Sequence, residues 1–569
     1  MTLQAVVNIA EICAQKSVEQ VVLSPGSRCA PLTIAFARHP KFMVRTVSDE
    51  RAAAFIALGM AQTTGKPTVL ICTSGTAALN YAPAVAEAYF QQVPLLILSA
   101  DRPPEWVDQL DGQTIRQQNL FGQHSKHSYT FPADLSHPDA VWHSERMVSE
   151  ALNESTSFPA GPVHINVPLR EPFYPAPDEE LKYNKQVKVI REEPQQYALS
   201  QMQALKLQEE ILKYRKVLVL AGQNQQNEAL LASVRTFADT TGTVVVGDTI
   251  SNTHSIPKAV RHQDVIFANT DPEQLAKLQP DLLITFGKSI ISKALKLYLR
   301  KYKPKAHWHL QPAGQVADTF QALTKIVRCA PQSFFTTMAG STRADSNFAS
   351  AWAAADKAAA AFLQQYTLEA PYSELPIVAR VLQQLPQKSN LHLANSMSVR
   401  YANIVGLQPK QQVEVYANRG TSGIDGSTGT AVGCALTSPG ITTLLTGDLA
   451  FFYDRNGLWH NYLPQNLRIV LLNNHAGGIF RLIDGPRQQP ELAPYFETQQ
   501  ALNAENTARD FGMKYTSVQS MEELEQALPN FFSAAAGAGI LEIFTDSAAN
   551  GEAFEIYRQA VRSLRLPEA

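Results

Sequence analysis

Along the first 170 residues the apolar positions switch repeatedly between a helical spacing and short continuous runs. The stretch 6–16 (VVNIAEICAQK) has the three-to-four-residue spacing of a helix, and 18–24 (VEQVVLS) is a β-branched run that predicts a strand. A helix at 31–37, a strand at 43–47 (MVRTV), a helix at 50–61 (ERAAAFIALGMA) and a strand at 67–73 (PTVLICT) follow. After them come a helix at 76–90 (TAALNYAPAVAEAYF) and a strand at 94–100 (PLLILSA). A last strand, 163–167 (VHINV), runs into a stretch holding Pro168, Pro172, Pro175 and Pro177, which reads as a linker. The alternation resumes with strands at 216–222, 243–248 and 281–287, a helix near 228–238 and a basic helix through Leu299. The alanine-rich stretch 349–366 predicts a long connecting helix, because alanine has the highest helix propensity. Beyond Pro371 a third series appears, with strands at 391–396, 413–420, 442–448, 467–474 and 539–546. Continuous apolar strands alternating with helices predict parallel sheets covered on both faces. The expected fold is therefore α/β, with three doubly wound parallel-sheet domains at 1–178, 186–350 and 371–569.

Composition narrows the class. The chain has 569 residues, 45% of them hydrophobic and 18% charged, an ordinary globular balance. Its net charge of −2 provides no global field for steering onto nucleic acid or anionic lipid, so no nucleic-acid partner is expected. No apolar run approaches the roughly 20 residues of a membrane span, so no membrane insertion is expected. Cys13, Cys29, Cys72, Cys329 and Cys434 are scattered without a CxxC, which reads as structural thiols in a reducing compartment. The first residues lack a basic start and carry Glu11 inside their apolar stretch, unlike a secretory signal. A cytoplasmic protein is expected.

In open α/β sheets ligands lie beyond the carboxyl ends of the strands. In the first series those ends run into SPGSR (24–28), SDE (48–50), CTSGTA (72–77) and SADRPP (99–104). In the third they run into ANS (394–396), ANRGTSG (417–423), TGDL (446–449) and LNNHAGG (472–478). All are polar or glycine-rich, which suggests a site shared between two decorated edges. The sharpest chemical signal is Gly447-Asp448 followed by Asn473-Asn474. An Asp at one strand end and an Asn at its neighbour, with the backbone carbonyl of Ala476, supply oxygens to one hard divalent cation such as Mg2+. Gly447, Gly477 and Gly478 let the backbone come close to a diphosphate. In the competing reading Asp448 caps the next helix and the Asn pair makes a turn.

This spacing resembles the thiamine-diphosphate motif, with Leu449 in place of the last glycine of the usual GDG. Glu50, opening a helix directly after a strand, stands where thiamine enzymes place the glutamate that touches the aminopyrimidine ring. Its competing reading is a first-turn Glu on a helix dipole. The set PGSR (25–28), SDERAAAFIALGMA (48–61), TSGTAALNYAPAVAEA (73–88), ADRPPE (100–105), NRGTSGIDG (418–426) and GDL…NN is similar to one branch of that superfamily. This branch is the 2-succinyl-5-enolpyruvyl-6-hydroxy-3-cyclohexene-1-carboxylate synthases of menaquinone biosynthesis, the MenD family. The resemblance covers nearly the whole chain, more thinly in its middle. It implies pyrimidine-binding, central and diphosphate-binding domains in that order, thiamine diphosphate with Mg2+ or Mn2+, and no flavin. It also implies a cofactor held between two subunits of a homodimer or homotetramer.

The substrates it implies are 2-oxoglutarate, which is decarboxylated, and isochorismate, to which the succinyl unit is added. Both bring carboxylates, for which arginine's planar fork is suited. By resemblance Ser27, Arg28, Arg102, Gln113 and Lys293 face isochorismate, and Ser396, Arg400 and Arg419 hold a carboxylate of the succinyl part. Ile424 is then the apolar wedge that bends the cofactor, and Ile479 and Phe480 wall the pocket. The competing readings are surface ion pairs for the arginines, plain core for Ile424, Ile479 and Phe480, and a solvated helix face for Lys293. Four residues depart from the family's usual pattern: Gly112 where an Asn is common, Ala294 where a second basic residue is common, and His475 and Ala476 in place of Asp or Asn and Gly. An alanine at 476 is tolerable if its φ is negative. His124 and His127 lack a third ligand and read as surface or outer-layer residues, and Trp106 as pocket, core or interface. LAGQNQQN (220–227) lacks the glycine pattern of a dinucleotide site, so no dinucleotide is expected there. The alternatives are an acetolactate-synthase-like or simple 2-oxoacid decarboxylase, disfavoured by the four arginines, and a non-catalytic scaffold, disfavoured by intact Glu50, Asp448 and Asn474.

Overall fold

The strands of the computed structural model, which describes residues 2–176, 179–193, 195–268, 271–342, 344–483 and 485–565, form three separate sheets. Pro177 of the linker, the boundary expected at 178 and the chain end at 569 fall outside the described residues. The first sheet comprises β1 (Gln20–Leu23), β2 (Met43–Thr46), β3 (Thr68–Cys72), β4 (Leu95–Asp101), β5 (His127–Thr130) and β6 (Pro162–Pro168). Its order is β2-β1-β3-β4-β6-β5, with every neighbouring pair parallel. The second comprises β7 (Val217–Ala221), β8 (Val244–Gly247), β9 (Leu282–Phe286), β10 (Ala306–Leu310) and β11 (Leu323–Val327), in the order β11-β10-β9-β7-β8 and again parallel. The third comprises β12 (Ser389–Leu393), β13 (Val413–Ala417), β14 (Thr442–Gly447), β15 (Leu467–Asn473), β16 (Lys514–Val518) and β17 (Gly539–Phe544). Its order, β13-β12-β14-β15-β17-β16, repeats that of the first sheet when each is counted from its own first strand.

The strands anticipated from the sequence are all present. Those not anticipated are β5, β10, β11 and β16. Strands β3, β4 and β6 are buried along their whole length, and such strands read as continuous apolar runs. Edge strands β5 and β16 are half-exposed and mostly polar, so they carry no such signal. Strand β10 (AHWHL) is hidden for another reason. Its two histidines look polar, but the Thr285 hydroxyl lies 2.7 Å from Nε2 of His307 and 2.8 Å from Nδ1 of His309, which lets these rings enter the sheet.

The helix expected over 76–90 is two helices, Thr76–Asn80 and Ala82–Gln91. Pro83 has no N–H to offer the carbonyl of Leu79, so the first helix ends there. The alanine-rich helix spans Ser346–Glu369 and buries Phe348, Trp352, Ala355, Ala359 and Leu363, one face at three-to-four-residue spacing.

The chain forms two compact units. One contains Met1–Pro194, Asn418–Thr442 and Phe451–Leu467; the other contains Gln195–Ala417, Thr443–Ala450 and Arg468–Ala569. Within the first, helix Glu50–Thr64 packs backbone against backbone on helix Ser427–Thr437. A Cβ at Gly59 would fall 2.0 Å from the carbonyl oxygen of Thr430, and one at Gly433 would fall 2.0 Å from that of Ile56. In the second, one apolar core runs from Leu218 and Leu283 through Trp352 and Leu391 to Leu541 and Ile543.

Candidate active site

In the second unit, β14 ends at Gly447 and Asp448 opens helix Asp448–Asp454, while the adjacent β15 ends at Asn473. Asp448 is buried, its Oδ1 accepting from the backbone N–H of Leu449 at 2.9 Å and its Oδ2 from Nε2 of Gln500 at 2.7 Å. Burial pushes its carboxyl above the ordinary range, against the pull of Gln500 and nearby backbone donors. Asn474 donates from Nδ2 to Oε1 of Glu374 at 2.8 Å and accepts at Oδ1 from the N–H of Ala476 at 3.0 Å. Glu374 is buried, and burial first, then the neighbouring Asp448 charge, raises its pKa to about 7.

A carboxylate, an amide oxygen and a main-chain carbonyl make an all-oxygen set suited to a hard divalent cation, whose charge would offset the cost of burying Asp448. Among the described residues no three His, Cys, Asp or Glu side chains gather as a metal site, so a cation here would rest on this mixed set. A Cβ at Gly447 would meet nothing within 4 Å, leaving open space beside Asp448, whereas one at Gly478 would come 2.8 Å from Nδ2 of Asn474. These residues fit a metal-bound diphosphate. The left-handed residue of the loop is His475 (φ 58), while Ala476 is absent from the positive-φ positions. Histidine joins Asn and Asp among residues that tolerate this region, so the alanine is sterically unproblematic. Leu449 is half-buried, its Cδ1 3.3 Å from where a Cβ on Gly477 would stand.

The same unit holds Ser396, Arg400, Lys293, Ile479 and Phe480. Ser396 precedes helix Met397–Val405 at φ 69, ψ −129, a backbone conformation that is costly for any residue with a Cβ. Arg400 is half-buried and bonds from Nη1 to the carbonyl of Ser396. Burial lowers the Arg400 pKa, and the Asp264 charge opposes this. Asp264 accepts from the Ser292 hydroxyl and, at 2.7 Å, from Nδ2 of Asn403, so it joins the cap of the Lys293 helix to the Arg400 helix. Lys293 is exposed at the first position of helix Lys293–Lys301. A cation at that end opposes the helix dipole, so helix stability does not explain it. Ile479 and Phe480 are half-buried in the short helix Ile479–Leu482, and Phe480 lies 5.7 Å from the Phe496 ring.

The first unit holds the remaining candidates. Glu50 is half-buried at the start of its helix and accepts from Nδ2 of Asn80 at 3.3 Å, while Asp49 caps that helix. Arg28 is buried, bonded to the carbonyl of Leu169 at 3.1 Å and stacked 4.5 Å over Phe173; Ser27 is exposed. Arg102 pairs with Asp111 at 3.0 Å and donates to the carbonyl of Gly112 at 2.7 Å. Gln113 is exposed at φ 56, its backbone 3.3 Å from where a Cβ on Gly75 would stand. Arg419 is half-buried on a loop that Glu87 grips, accepting the N–H of Gly420 at 2.7 Å and that of Thr421 at 2.6 Å. Ile424 is 41% exposed, which removes the plain-core reading for it. Trp106 is 52% exposed and likewise not core, and His124 and His127 are both exposed.

Glu374, Gln500, Asp264 and Glu87 hold candidate residues in place and escaped the sequence reading. A signal existed for Glu87 and Glu374: each is an acid embedded in an apolar helical run, AVAEAYF and ELPIVARV. Gln500, in a polar loop, had none.

Three family models match the chain: "Thiamine pyrophosphate enzyme, N-terminal TPP binding domain" over 4–125, "Middle domain of thiamine pyrophosphate" over 182–393, and "Thiamine pyrophosphate enzyme, C-terminal TPP binding domain" over 396–543. A 2-succinyl-5-enolpyruvyl-6-hydroxy-3-cyclohexene-1-carboxylate synthase of Cytophaga hutchinsonii is 46% identical over 99% of this chain and 100% of its own length. Proteins of the same name from Flavobacterium johnsoniae and Porphyromonas gingivalis are 39% and 34% identical, over 95% and 96% of this chain and 96% and 95% of their own lengths. With its three parallel sheets and a similarity that runs end to end, the chain belongs to the 2-succinyl-5-enolpyruvyl-6-hydroxy-3-cyclohexene-1-carboxylate synthase family of thiamine-diphosphate enzymes.

Proposed function

We propose that the protein decarboxylates 2-oxoglutarate and joins the succinyl unit to isochorismate, giving 2-succinyl-5-enolpyruvyl-6-hydroxy-3-cyclohexene-1-carboxylate for menaquinone biosynthesis. What carries this reading is the 46% identity across 99% of the chain to a synthase named for that product. Thiamine diphosphate supplies the electron sink for the decarboxylation and the carboligation. Asp448, Asn474 and the carbonyl of Ala476 hold Mg2+ or Mn2+, and Gly447, Leu449 and Gly477 line the diphosphate. Glu50 binds the aminopyrimidine and controls its tautomer, and Ile424 supports the bend of the cofactor.

Ser396, Arg400 and Arg419 neutralise a carboxylate of the donor. Ser27, Arg28, Arg102, Gln113 and Lys293 orient the acceptor, with Ile479 and Phe480 as apolar wall. Fixed cations on both acids convert a bimolecular encounter into an oriented one, which is the protein's main contribution to rate. The domains follow the boundaries 1–178, 186–350 and 371–569, the assembly is a homodimer or homotetramer, and the enzyme works in the cytoplasm. Among the described residues no helix is long and apolar enough to cross a membrane.

The test is direct. Protein supplied with 2-oxoglutarate, isochorismate, thiamine diphosphate and Mg2+ should release CO2 and consume isochorismate together. Equal turnover of pyruvate would move the protein to a simpler decarboxylase, and no CO2 at all would leave a scaffold.

A further inference from the structure

The side-chain amide of Asn has two ends of nearly equal shape and opposite chemistry, and only the oxygen end can ligate a cation. Something must therefore decide which end of Asn474 is offered to a cation. The Nδ2 of Asn474 donates to Oε1 of Glu374 at 2.8 Å, which turns the amide nitrogen toward the carboxyl and leaves Oδ1 for a cation. A flipped amide would set two oxygens against each other in a buried site, which is expensive.

Glu374 is itself tightly held. It is 4% exposed and opens helix Glu374–Gln383, and its backbone N–H donates to Oδ1 of Asn550 at 3.1 Å. The Tyr401 side chain lies beside its carboxylate. The N–H of Ala476 on Oδ1 of Asn474 acts in the same sense and leaves that oxygen a second lone pair.

We propose that Glu374 is a positioning residue for the divalent cation, fixing the Asn474 amide so that Oδ1 is presented to the metal. This rests on the reading of Asp448 and Asn474 as metal ligands. Tyr401 follows Arg400 on helix Met397–Val405, so the same carboxylate lies beside the helix of the donor-binding arginine as well as the metal loop.

Mn2+ titrated into the full-length protein with saturating thiamine diphosphate, with free Mn2+ read by electron paramagnetic resonance, tests this without relying on turnover. Glu374→Leu should weaken Mn2+ about 10- to 100-fold, the usual loss when an outer partner of a metal ligand is removed. Glu374→Gln, whose Oε1 still accepts from Nδ2, should stay close to the native affinity. Glu374→Ser, which leaves room for water, takes the place of the leucine variant should that one not fold, with the same expectation. In an Asn474→Asp background, where either oxygen can face the metal, loss of Glu374 should no longer weaken Mn2+. A merely structural role would weaken it in both backgrounds. Native Mn2+ affinity in the folded Leu or Ser variant, together with loss of binding in Asp448→Ala, would overturn the role of Glu374 alone. Undiminished binding in Asp448→Ala would overturn the metal site itself.

Discussion

After its third strand the first sheet turns through Thr73, Ser74 and Gly75; at the same topological position the third sheet turns through Gly447, Asp448 and Leu449. After the fourth strand the pair is Asp101-Arg102 against Asn473-Asn474. Each edge is stitched by one glutamine. Gln117 accepts the N–H of Gly75 at 2.8 Å and donates to Oδ1 of Asn166 on β6 at 2.9 Å. Gln500 donates to Oδ2 of Asp448 at 2.7 Å and to Oδ1 of Asn473 at 3.3 Å. On the sixth strand, Asn166 holds Asp101 at 2.7 Å, and Glu542 holds Asn473 at 2.7 Å. The comparison separates two levels of control. Topology fixes where polar side chains can gather, namely beyond the carboxyl ends of neighbouring parallel strands. The residues then decide the charge: each edge buries a carboxylate, Asp101 in the first and Asp448 in the third, and the first adds hydroxyls, arginines and the half-buried Glu50.

If the edges divide the labour in this way, the largest contrast lies between Glu50→Gln and Asp448→Ala. The first should cut ligation by about 10³-fold, within the roughly 10²–10⁴ expected of a proton-transfer group, while thiamine diphosphate still binds. The second should abolish metal-dependent cofactor binding. Equal loss of cofactor affinity in calorimetric titrations of both variants would break the division. Next come the arginines. Arg28→Ala should raise KM for isochorismate and Arg400→Ala that for 2-oxoglutarate, each about 10- to 100-fold, as expected for a charged hydrogen bond. Steady-state kinetics showing the same substrate affected by both would merge the two roles.

Acid sensitivity sharpens the comparison further. His164 on β6 and His392 on β12 are fully buried, and burial lowers each pKa to about 3. Each is neutral in the fold, whereas in the unfolded chain it takes up a proton below about pH 6.5. The unfolded state then binds more protons, so stability is full at neutral pH and lost as pH falls from about 6.5 toward 3. His164→Gln and His392→Gln should each flatten that slope by about 1.4 kcal/mol per pH unit in denaturant titrations. A slope left unchanged by either substitution would show that the histidine concerned is not held neutral by its burial. The smallest effect belongs to Ser396→Gly, which relieves the φ of 69 and should stabilise by about 1 kcal/mol in the same titrations. The exposed Ser27, in the corresponding loop of the first sheet and outside the positive-φ positions, should gain nothing from the same change.

Much of this architecture could be read from the chain because buried parallel strands such as TVLIC and LLILSAD declare themselves as apolar runs. Strand β10 did not, since its histidines enter the sheet on either side of the Thr285 hydroxyl, a partner 22 residues away in the chain for His307. Asp448 and Asn474, proposed above as metal ligands, stood out in the sequence by their spacing after two strands. Glu374 showed itself only as an acid at the head of an apolar run, since its link to Asn474 crosses 100 residues of sequence. Helix breaks follow local rules, yet Pro83 was overridden by the apolar periodicity around it.

The close fit of Gly59 against Thr430 and of Gly433 against Ile56 bears on how the chain matures. Helix Glu50–Thr64 emerges early from the ribosome, but the helix that covers it is encoded several hundred residues later. At roughly 5–20 residues per second, its glycine-lined seam stays bare for on the order of tens of seconds. The amino-terminal unit therefore cannot finish its core as an autonomous nascent domain, and truncations ending before residue 437 should bind chaperones and aggregate rather than yield a soluble half-enzyme.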